Sequence, residues 1–258
     1  MSAGNYLAGI NAAEQLLRDQ PDRVKRLIVD ERSSNPRLAE LVALAGVASR
    51  PVESRRRFQL DELAGDARHQ GVVVELAGSW VLDEAALLTL VEQRLADDAS
   101  VLLLALDQVT DPHNLGACLR SAAAAGVDAV IVPRTGSAEL TPAARKAASG
   151  AAETLPFVRV PALGKTCERV KMYGIQVVGA DGSAPDTLYE RALIAPSLIV
   201  VGAEQSGLSA PVAAACDYRV AIPMAPGVES LNVSVAAALL VFEARRQRGS
   251  LAAAEGNG

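Results

Sequence analysis

The sequence predicts two α/β domains, of which the second is the larger. Strand-like apolar segments alternate with helical segments twice along the chain, and an acidic helical segment at residues 79–98 separates the two alternations. In the second alternation, strands such as VLLLAL (101–106) and LIVV (198–201) are apolar throughout, as expected when helices cover both faces of a parallel sheet. We therefore predict an N-terminal domain at residues 1–78, a linker helix at 79–98 and a C-terminal domain at 99–258.

The elements of both domains follow from composition and periodicity, and the first domain is expected to be a small α/β/α sandwich. Its predicted helices are residues 11–19, 36–47 and 61–65, and its predicted strands are 26–31, 51–53 and 71–76. In the second domain the predicted strands are residues 101–106, 128–133, 155–160, 175–180, 198–203 and 218–223. One helix is predicted directly after the first of these strands, and three more are predicted at residues 141–150, 164–174 and 231–248.

The amino-acid totals narrow the possible function classes. Half of the 258 residues are apolar, which is typical of a globular protein. Three scattered cysteines and two histidines give neither a disulfide framework nor a zinc site, so we expect no metal. No run reaches the roughly 18 apolar residues of a membrane span, and the N-terminus lacks the pattern of a signal peptide. We expect a cytoplasmic protein that does not bind a membrane.

The charge distribution leaves a polyanionic partner possible. The net charge is −5, but residues 1–78 are neutral, with 11 basic and 11 acidic side chains. This first segment also carries a cluster of arginines, namely Arg50 together with Arg55, Arg56 and Arg57. The cluster fits either a solvated loop or a surface that contacts phosphates.

The common nucleotide and hydrolase motifs are missing from this sequence. No G-x-G-x-x-G follows the first strand of either domain, and no G-x-S-x-G elbow occurs. The tripeptide GKT at residues 164–166 resembles the end of a P-loop, but Arg159 stands where the leading glycine would be required. Dinucleotide-binding, P-loop and serine-hydrolase activities are therefore disfavoured.

Three loops that follow predicted strands have an unusual polar content. They contain the sequences TDPHNLGACLR (110–120), GAEQSGL (202–208) and IPMAPGVESLNVS (222–234). The carboxyl edge of a parallel sheet, where all three loops are predicted to lie, is the usual place for a ligand. Taken together, they point to a site at this edge.

Each loop alone also has a purely structural explanation. The first could be a helix that Asp111 or Asn114 caps, with Arg120 solvated on its surface. The second could be a tight turn in which Glu204 is favoured by the N-terminus of a following helix. The third could simply cap the last helix through a serine or an asparagine.

In this order, the three loops resemble the three sequence motifs of the SpoU/TrmH family of RNA 2′-O-methyltransferases, in the SPOUT superfamily. The resemblance covers Leu102 to Arg246 almost continuously. The segments AGINAAEQLL and HQGVVVEL resemble the start and end of the family's substrate-binding domain, which is similar to ribosomal protein L30e. Within the family, the chain most resembles bacterial enzymes that methylate a guanosine in the peptidyl transferase P-loop of 23S rRNA.

This resemblance implies a cofactor, a fold and a set of site residues. The cofactor is S-adenosylmethionine, held by the second and third loops in a C-terminal trefoil knot. The residues that match the family's cofactor-lining positions are Gly202, Ile222 and Leu231. The residues that match its functional polar positions are Asn114, Arg120, Glu204, Ser230 and Asn232.

The chemistry of methyl transfer suggests a role for each polar residue. A ribose hydroxyl is weakly acidic, so the site must stabilise negative charge that develops on its oxygen. Arg120 is the candidate, because a guanidinium is always charged and can also grip a phosphate. Asn114 would orient Arg120 or the ribose, and the other three polar residues would hold the loops and the substrate. The small residues near Arg120, such as Gly116, would let an RNA backbone approach the helix.

The last helix supports two interpretations. Apolar residues recur at Leu231, Val235, Leu239 and Phe242, and arginines 245, 246 and 248 follow them. The pattern predicts core packing, with the arginines matching the helix dipole. The resemblance additionally implies a homodimer through this region, with each active site shared between two subunits.

The expected partner is 23S rRNA, either free or in a pre-50S particle, and other functions remain open at this stage. The RNA could be a tRNA or another rRNA site, or the chain could be an RNA-binding protein without catalytic activity. An unrelated α/β enzyme that uses a nucleotide is disfavoured by the missing glycine motifs.

Overall fold

The structure is a computed structural model, and it describes residues 6–19, 21–65, 68–77, 81–97, 100–228 and 230–255. The chain divides into two compact units, Met1–Trp80 and Val81–Gly258. The ends of the predicted linker, residues 79–80 and 98, lie outside the described residues. Among the helices of the described ranges, none combines the length and the apolar character that a membrane span requires.

The first unit is a four-stranded sheet with helices packed on it. Its elements are β1 (Tyr6–Ala8), α1 (Ile10–Asp19), a 3-10 turn (Pro21–Arg23), β2 (Val24–Asp30), α2 (Pro36–Val47), β3 (Val52–Arg55), α3 (Arg57–Ala64) and β4 (Val72–Leu76). The strand order is β1-β4-β2-β3, in which only β2 and β3 run parallel. Strand β1 was not predicted, because three residues are too few to show a period.

Alternation along the strands divides the core of the first unit between two faces of the sheet. Ile28 of β2 and Val73 of β4 are register partners, and both pack with Leu60 of α3. Their neighbours in sequence, Leu27 and Val74, are also fully buried and point to the opposite face. Helices α1 and α2 contact each other, and each contacts the sheet.

The second unit is built on one parallel sheet. Its elements are β5 (Val81–Leu82), α4 (Glu84–Ala96), β6 (Leu102–Leu106), α5 (Pro112–Ala125), β7 (Ala129–Pro133), α6 (Pro142–Ala148), α7 (Ala151–Thr154), β8 (Phe157–Val160), α8 (Leu163–Lys171), β9 (Gln176–Ala180), β10 (Ser197–Val201), α9 (Ala210–Ala215), β11 (Tyr218–Val220) and α10 (Val233–Glu255). The strand order is β11-β9-β10-β6-β7-β8-β5, and every pairing is parallel. The predicted parallel sheet is therefore confirmed.

The apolar strands lie between two helical layers. In β6, Leu104 packs in a core that includes residues of α5 and α10, whereas Leu103 packs in a second core that includes residues of α4 and α8. All five residues of β6 are buried, and so are those of β7 and β10. Burial on both faces explains why these strands are apolar throughout, except for Ser197 at the start of β10.

Helix α4 lies where the sequence predicted a separate linker, but it packs as part of the second unit. Leu87 and Val91 are fully buried in the core that α8 also lines. Glu84 accepts a hydrogen bond from the Thr166 hydroxyl at 2.6 Å and forms an ion pair with Arg169. The short strand β5, which precedes α4, pairs with β8 at the sheet edge.

The long helix α10 corrects the core-packing interpretation of its apolar stripe. Its buried apolar residues, among the described side chains, are Val233, Ala237, Leu240, Val241 and Ala244. By contrast, Val235, Leu239 and Phe242 are exposed, with 37–46% of their surface accessible. The periodicity correctly placed these three residues on one face, but that face is not the one that contacts the sheet.

The arginines of α10 are also not the end of the helix, since α10 continues to Glu255. Arg248 donates to the backbone oxygens of residues 100, 101, 193 and 195, and Arg245 donates to the oxygen of Ala125. Arg246 forms an ion pair with Glu243. These arginines therefore bind backbone carbonyl oxygens and a buried carboxylate. The expectation that they interact with the helix dipole at the last turn of α10 was wrong.

Gly116 of α5 is required by another helix, not by an incoming RNA backbone as the sequence suggested. A Cβ at this position would lie 2.4 Å from the backbone oxygen of Ala144 and 2.5 Å from the Cβ of Ala147. Helix α6, which carries both alanines, therefore occupies the space beside Gly116.

We predict that Gly116→Ala lowers the free energy of unfolding by about 1–3 kcal/mol, because the added methyl group overpacks the α5–α6 contact. Urea denaturation measures the loss. Gly182→Ala is the matched control, since a Cβ there meets no atom within 4 Å. Equal stability of the two variants would show that α6 yields freely.

Candidate functional site

The strand order has a topological switch point between β6 and β10. From β6 the chain proceeds to β7 on one side, whereas β10 lies on the other side of β6. Ligands of open parallel sheets bind outside the carboxyl ends of the strands at such a switch point. The loop after β6 and the loop after β10 both lie at this edge, as predicted.

Asp107, which the sequence analysis did not single out, joins these two loops. Its backbone N–H donates to the oxygen of Val201 at 2.8 Å, and its carboxylate accepts from the N–H of Ser209 at 2.7 Å. The side chain is buried at the end of β6. An acidic residue that directly follows five apolar residues was the signal that could have identified it.

The first loop leads into α5 through a cap that leaves Asn114 free for the site. The Asp111 carboxylate accepts from the N–H of His113 at 2.9 Å, and Pro112 occupies the first turn of the helix. Of the two residues that the sequence offered as caps, the structure uses Asp111. The side chain of Asn114 instead reaches the second and third loops.

A cluster of three polar side chains connects all three loops. The Nδ2 of Asn232 donates to Glu204 Oε1 at 2.8 Å and to Asn114 Oδ1 at 2.9 Å. The Nδ2 of Asn114 lies 3.4 Å from the same Glu204 oxygen. Glu204 and Asn232 are 90 and 118 positions from Asn114 in sequence, so the fold alone brings the three side chains together.

The same cluster also organises the start of α10. The Oδ1 of Asn232 accepts from the N–H and the hydroxyl of Ser234, at 3.0 and 2.6 Å. Glu204 Oε1 additionally accepts from the N–H of Val233 at 3.1 Å, which places a carboxylate at the positive end of the helix. The local capping explanation of the third loop is therefore correct for Asn232, and the residue serves the cluster as well.

Two of the expected polar residues lie outside this cluster. Ser230 is exposed and makes no hydrogen bond with its three members. Arg120 is also exposed, and within the described ranges its guanidinium has no hydrogen bond or ion pair. It follows Asn114 by six residues, or about 240° around the helix, so the two side chains leave α5 in different directions.

The residues expected to line a cofactor site follow β10 and β11. A Cβ on Gly202 would lie 2.2 Å from the backbone of Gly207, so the second loop folds back on itself only because residue 202 is glycine. Gly207 itself has a φ of +64°, and its N–H donates to the oxygen of Ala203 at 2.9 Å. Ile222 and Leu231 are half-buried apolar residues of the third loop, which also carries Asn232 of the polar cluster.

The cysteines and acids of the described residues do not suggest covalent or metal chemistry. Burial raises the pKa of Cys118 and of Cys167 to about 12, and that of Cys216 to about 11. All three are therefore neutral thiols at pH 7, which are poor nucleophiles. No group of three His, Cys, Asp or Glu side chains in the described ranges is placed to hold a metal ion.

Comparison with known proteins identifies the family. The model of the SpoU rRNA Methylase family matches residues 101–242, more than half of the chain. The chain belongs to the SpoU rRNA methylase family. A second model, RNA 2′-O ribose methyltransferase substrate binding, matches residues 6–79.

Curated relatives cover nearly the whole chain. The 23S rRNA (guanosine-2′-O-)-methyltransferase RlmB of Pseudomonas aeruginosa is 47% identical over 248 residues, which is 96% of this chain and 98% of the relative. The protein of the same name from Haemophilus influenzae is 43% identical over 93% of this chain and 96% of its own.

Solved structures of SpoU methylases share the fold. AviRb from Streptomyces viridochromogenes, in complex with the cofactor AdoMet, has a TM-score of 0.73 and 26% identity, with coverage of 95% of this chain and 90% of its own. An RNA 2′-O ribose methyltransferase has a TM-score of 0.64 and 27% identity, over 94% of this chain and 88% of its own.

We predict that Asn232→Asp separates the two tasks of this side chain. The remaining Oδ1 can still cap α10, but the new oxygen faces Glu204 Oε1 and Asn114 Oδ1 and can no longer donate to them. The loss should reach about 1–3 kcal/mol in the free energy of unfolding, with faster amide exchange in the first turn of α10.

Ser234→Ala is the control for this experiment, because it removes only a hydrogen bond within the cap. If Asn232→Asp were no less stable than Ser234→Ala, the contacts between the loops would contribute nothing to the fold.

Proposed function

We propose that the protein transfers a methyl group from S-adenosylmethionine to the ribose 2′-hydroxyl of a guanosine in 23S rRNA, in the peptidyl transferase P-loop. The observation that carries this proposal is the convergence of the three motif loops on Glu204. The names of the curated relatives, at 41–47% identity, support 23S rRNA guanosine as the target. The P-loop position rests on the sequence resemblance.

The proposed division of labour follows the two units. Residues 1–78 would form an L30e-like domain that binds the RNA, and the match of a substrate-binding family to residues 6–79 supports this assignment. Residues 99–258 would form the methyltransferase domain, and most of the predicted linker at 79–98 packs with it as helix α4. We also propose a trefoil knot in this domain; the hydrogen bonds between the second and third loops support a close crossing of these segments.

The residues near the switch point fit S-adenosylmethionine in kind. The second loop leaves open space beside Gly207, and Ile222 and Leu231 would offer apolar surface to the adenosine. When bound, the cofactor supplies an electron-poor methyl carbon on a sulfonium. The AdoMet bound to AviRb supports the same cofactor here.

Arg120 would stabilise the developing charge on the ribose oxygen and hold a neighbouring phosphate. It would not act as a base, because a guanidinium is effectively never neutral in a protein. Its donors are free of partners among the described residues, so they remain available to a substrate. Asn114, Glu204 and Asn232 would fix the loops around the reacting groups, and Ser230 would contact the substrate.

We further propose that the protein is a homodimer in which Arg120 of one subunit completes the site of the other. Two observations support this. Arg120 does not reach the polar cluster of its own chain through any contact of the described residues. The exposed apolar face of α10, formed by Val235, Leu239 and Phe242, is the surface expected of a subunit interface.

Arg120→Ala should leave binding of S-adenosylmethionine and stability unchanged, since the side chain is exposed and has no partner among the described residues. Turnover should fall about 100-fold or more, as expected for loss of a contact made in the transition state. Calorimetry measures the binding, and transfer of a radiolabelled methyl group to a 23S rRNA transcript measures the turnover. Lys165→Ala, another exposed cation, is the control; equal turnover of both variants would remove Arg120 from the mechanism.

Leu239→Glu should convert the dimer to a monomer and abolish methyl transfer, because a charge in the centre of an apolar interface costs several kcal/mol. Sedimentation velocity measures the oligomeric state. Met172→Glu is the matched control, since Met172 is also an exposed apolar residue, on the helical layer that contains α8. A native protein that sediments as a monomer would contradict the shared site.

The target itself is tested in cells. Deleting the gene should remove one 2′-O-methyl group from 23S rRNA, and the Arg120→Ala gene should fail to restore it. Mapping all ribose methylations in rRNA and tRNA identifies the position. Loss of a methyl group from a tRNA, with 23S rRNA unchanged, would overturn the proposed substrate.

A further inference from the structure

The first unit exposes an aromatic ring that its core does not need. Phe58, in the first turn of α3, has 56% of its surface accessible, whereas Phe157 in the second unit is fully buried. Leaving a phenylalanine in water forfeits most of the favourable free energy of its burial. Of the three phenylalanines, Phe242 is also exposed, but it lies on the face of α10 proposed as a subunit interface, so Phe58 is the exposed ring that still lacks an explanation.

Helix α3 holds this ring in a fixed direction. Leu60 anchors the helix through full burial against Ile28 and Val73 of the sheet. At the start of the helix, the side-chain oxygen of Gln59 accepts from the N–H of Arg56 at 3.1 Å. Phe58 precedes Leu60 by two residues, or about 200° around the helix, so its ring points away from the sheet.

The arginine cluster around Phe58 is mostly neutralised within the unit. Arg50 forms an ion pair with Asp22, and Arg55 forms one with Glu53 at 2.6 Å. The Arg56 guanidinium lies 3.6 Å from the Glu31 carboxylate. Arg57 is exposed and has no partner in the described ranges. Of the cluster that could contact phosphates, one cation is therefore left without a partner in the described ranges, and it precedes the exposed ring by one residue in sequence.

We propose that Phe58 is a stacking platform for an unpaired base of the RNA substrate, with Arg57 contacting the adjacent phosphate. The inference rests on the proposed function and extends it to how the RNA is recognised. Proteins that read single-stranded RNA combine an aromatic face for a base with a cation for the backbone. A duplex would instead require several free cations spread along its phosphates, and of the four clustered arginines only Arg57 has no ion pair in the described ranges.

Methyl transfer tests the platform through the split between KM and kcat. Phe58→Leu, which keeps an apolar side chain but removes the ring, should raise the KM for an unmodified 23S rRNA transcript about 10-fold, as expected for one lost stack. Phe58→Trp should stay within about twofold of the native protein. The kcat of both should be unchanged, because no predicted site residue lies in the first unit. Val47→Ala, an exposed apolar residue of α2, is the control.

Fluorescence gives a readout that does not depend on catalysis. In the variant Phe58→Trp with Trp80→Phe, the single tryptophan lies at position 58. A single-stranded 12-nucleotide RNA should quench its emission, and the same RNA annealed to its complement should not.

The possible outcomes separate this inference from the proposed function. Native KM in Phe58→Leu, or equal quenching by single strand and duplex, would overturn the stacking platform and leave the methyltransferase proposal intact. Quenching by the single strand without any methyl transfer to 23S rRNA would support the platform and contradict the proposed reaction.

Discussion

One carboxylate oxygen holds the candidate site together. Glu204 Oε1 faces three donors, namely the side-chain amides of Asn114 and Asn232 and the backbone N–H of Val233. The donors belong to the first and third loops, and the acceptor belongs to the second. Each hydrogen bond contributes only about 0.5–1.5 kcal/mol, but a shared acceptor makes the position of each loop depend on the other two.

The parallel sheet makes this convergence possible. Because β6 and β10 are neighbours, the loops that follow them begin side by side, and Asp107 fixes their spacing before the polar cluster begins. The third loop starts at the edge strand β11 and reaches the cluster only by returning across β9 and β10. The contact with Glu204 thus also determines where α10 starts.

The sequence predicts the central strands β6, β7 and β10 well because they are buried on both faces and are therefore almost entirely apolar. It fails for short or partly covered elements such as β1, β5 and α9, which show no period. For α10, periodicity identified the residues that share a face but not what covers that face. The membership of Asn114, Glu204 and Asn232 in one site came from the family resemblance, because their spacing in sequence carries no trace of their contact.

Two surfaces expose apolar side chains that do not pack in the core of either unit, and each suggests a different partner. The face of α10 with Val235, Leu239 and Phe242 is apolar and continuous, which suits a second copy of the chain. The start of α3 presents the exposed ring of Phe58 and, next to it in sequence, Arg57, which has no partner in the described ranges; this pair suits one nucleotide of RNA.

The most direct test of this account is calorimetric titration of S-adenosylmethionine into the native protein and into Glu204→Ala. Glu204 is exposed, so the variant should remain folded, as circular dichroism would verify. The account predicts one cofactor bound per native chain and a loss of measurable binding in the variant. Native affinity in the Glu204→Ala protein would contradict the claim that this carboxylate assembles the site.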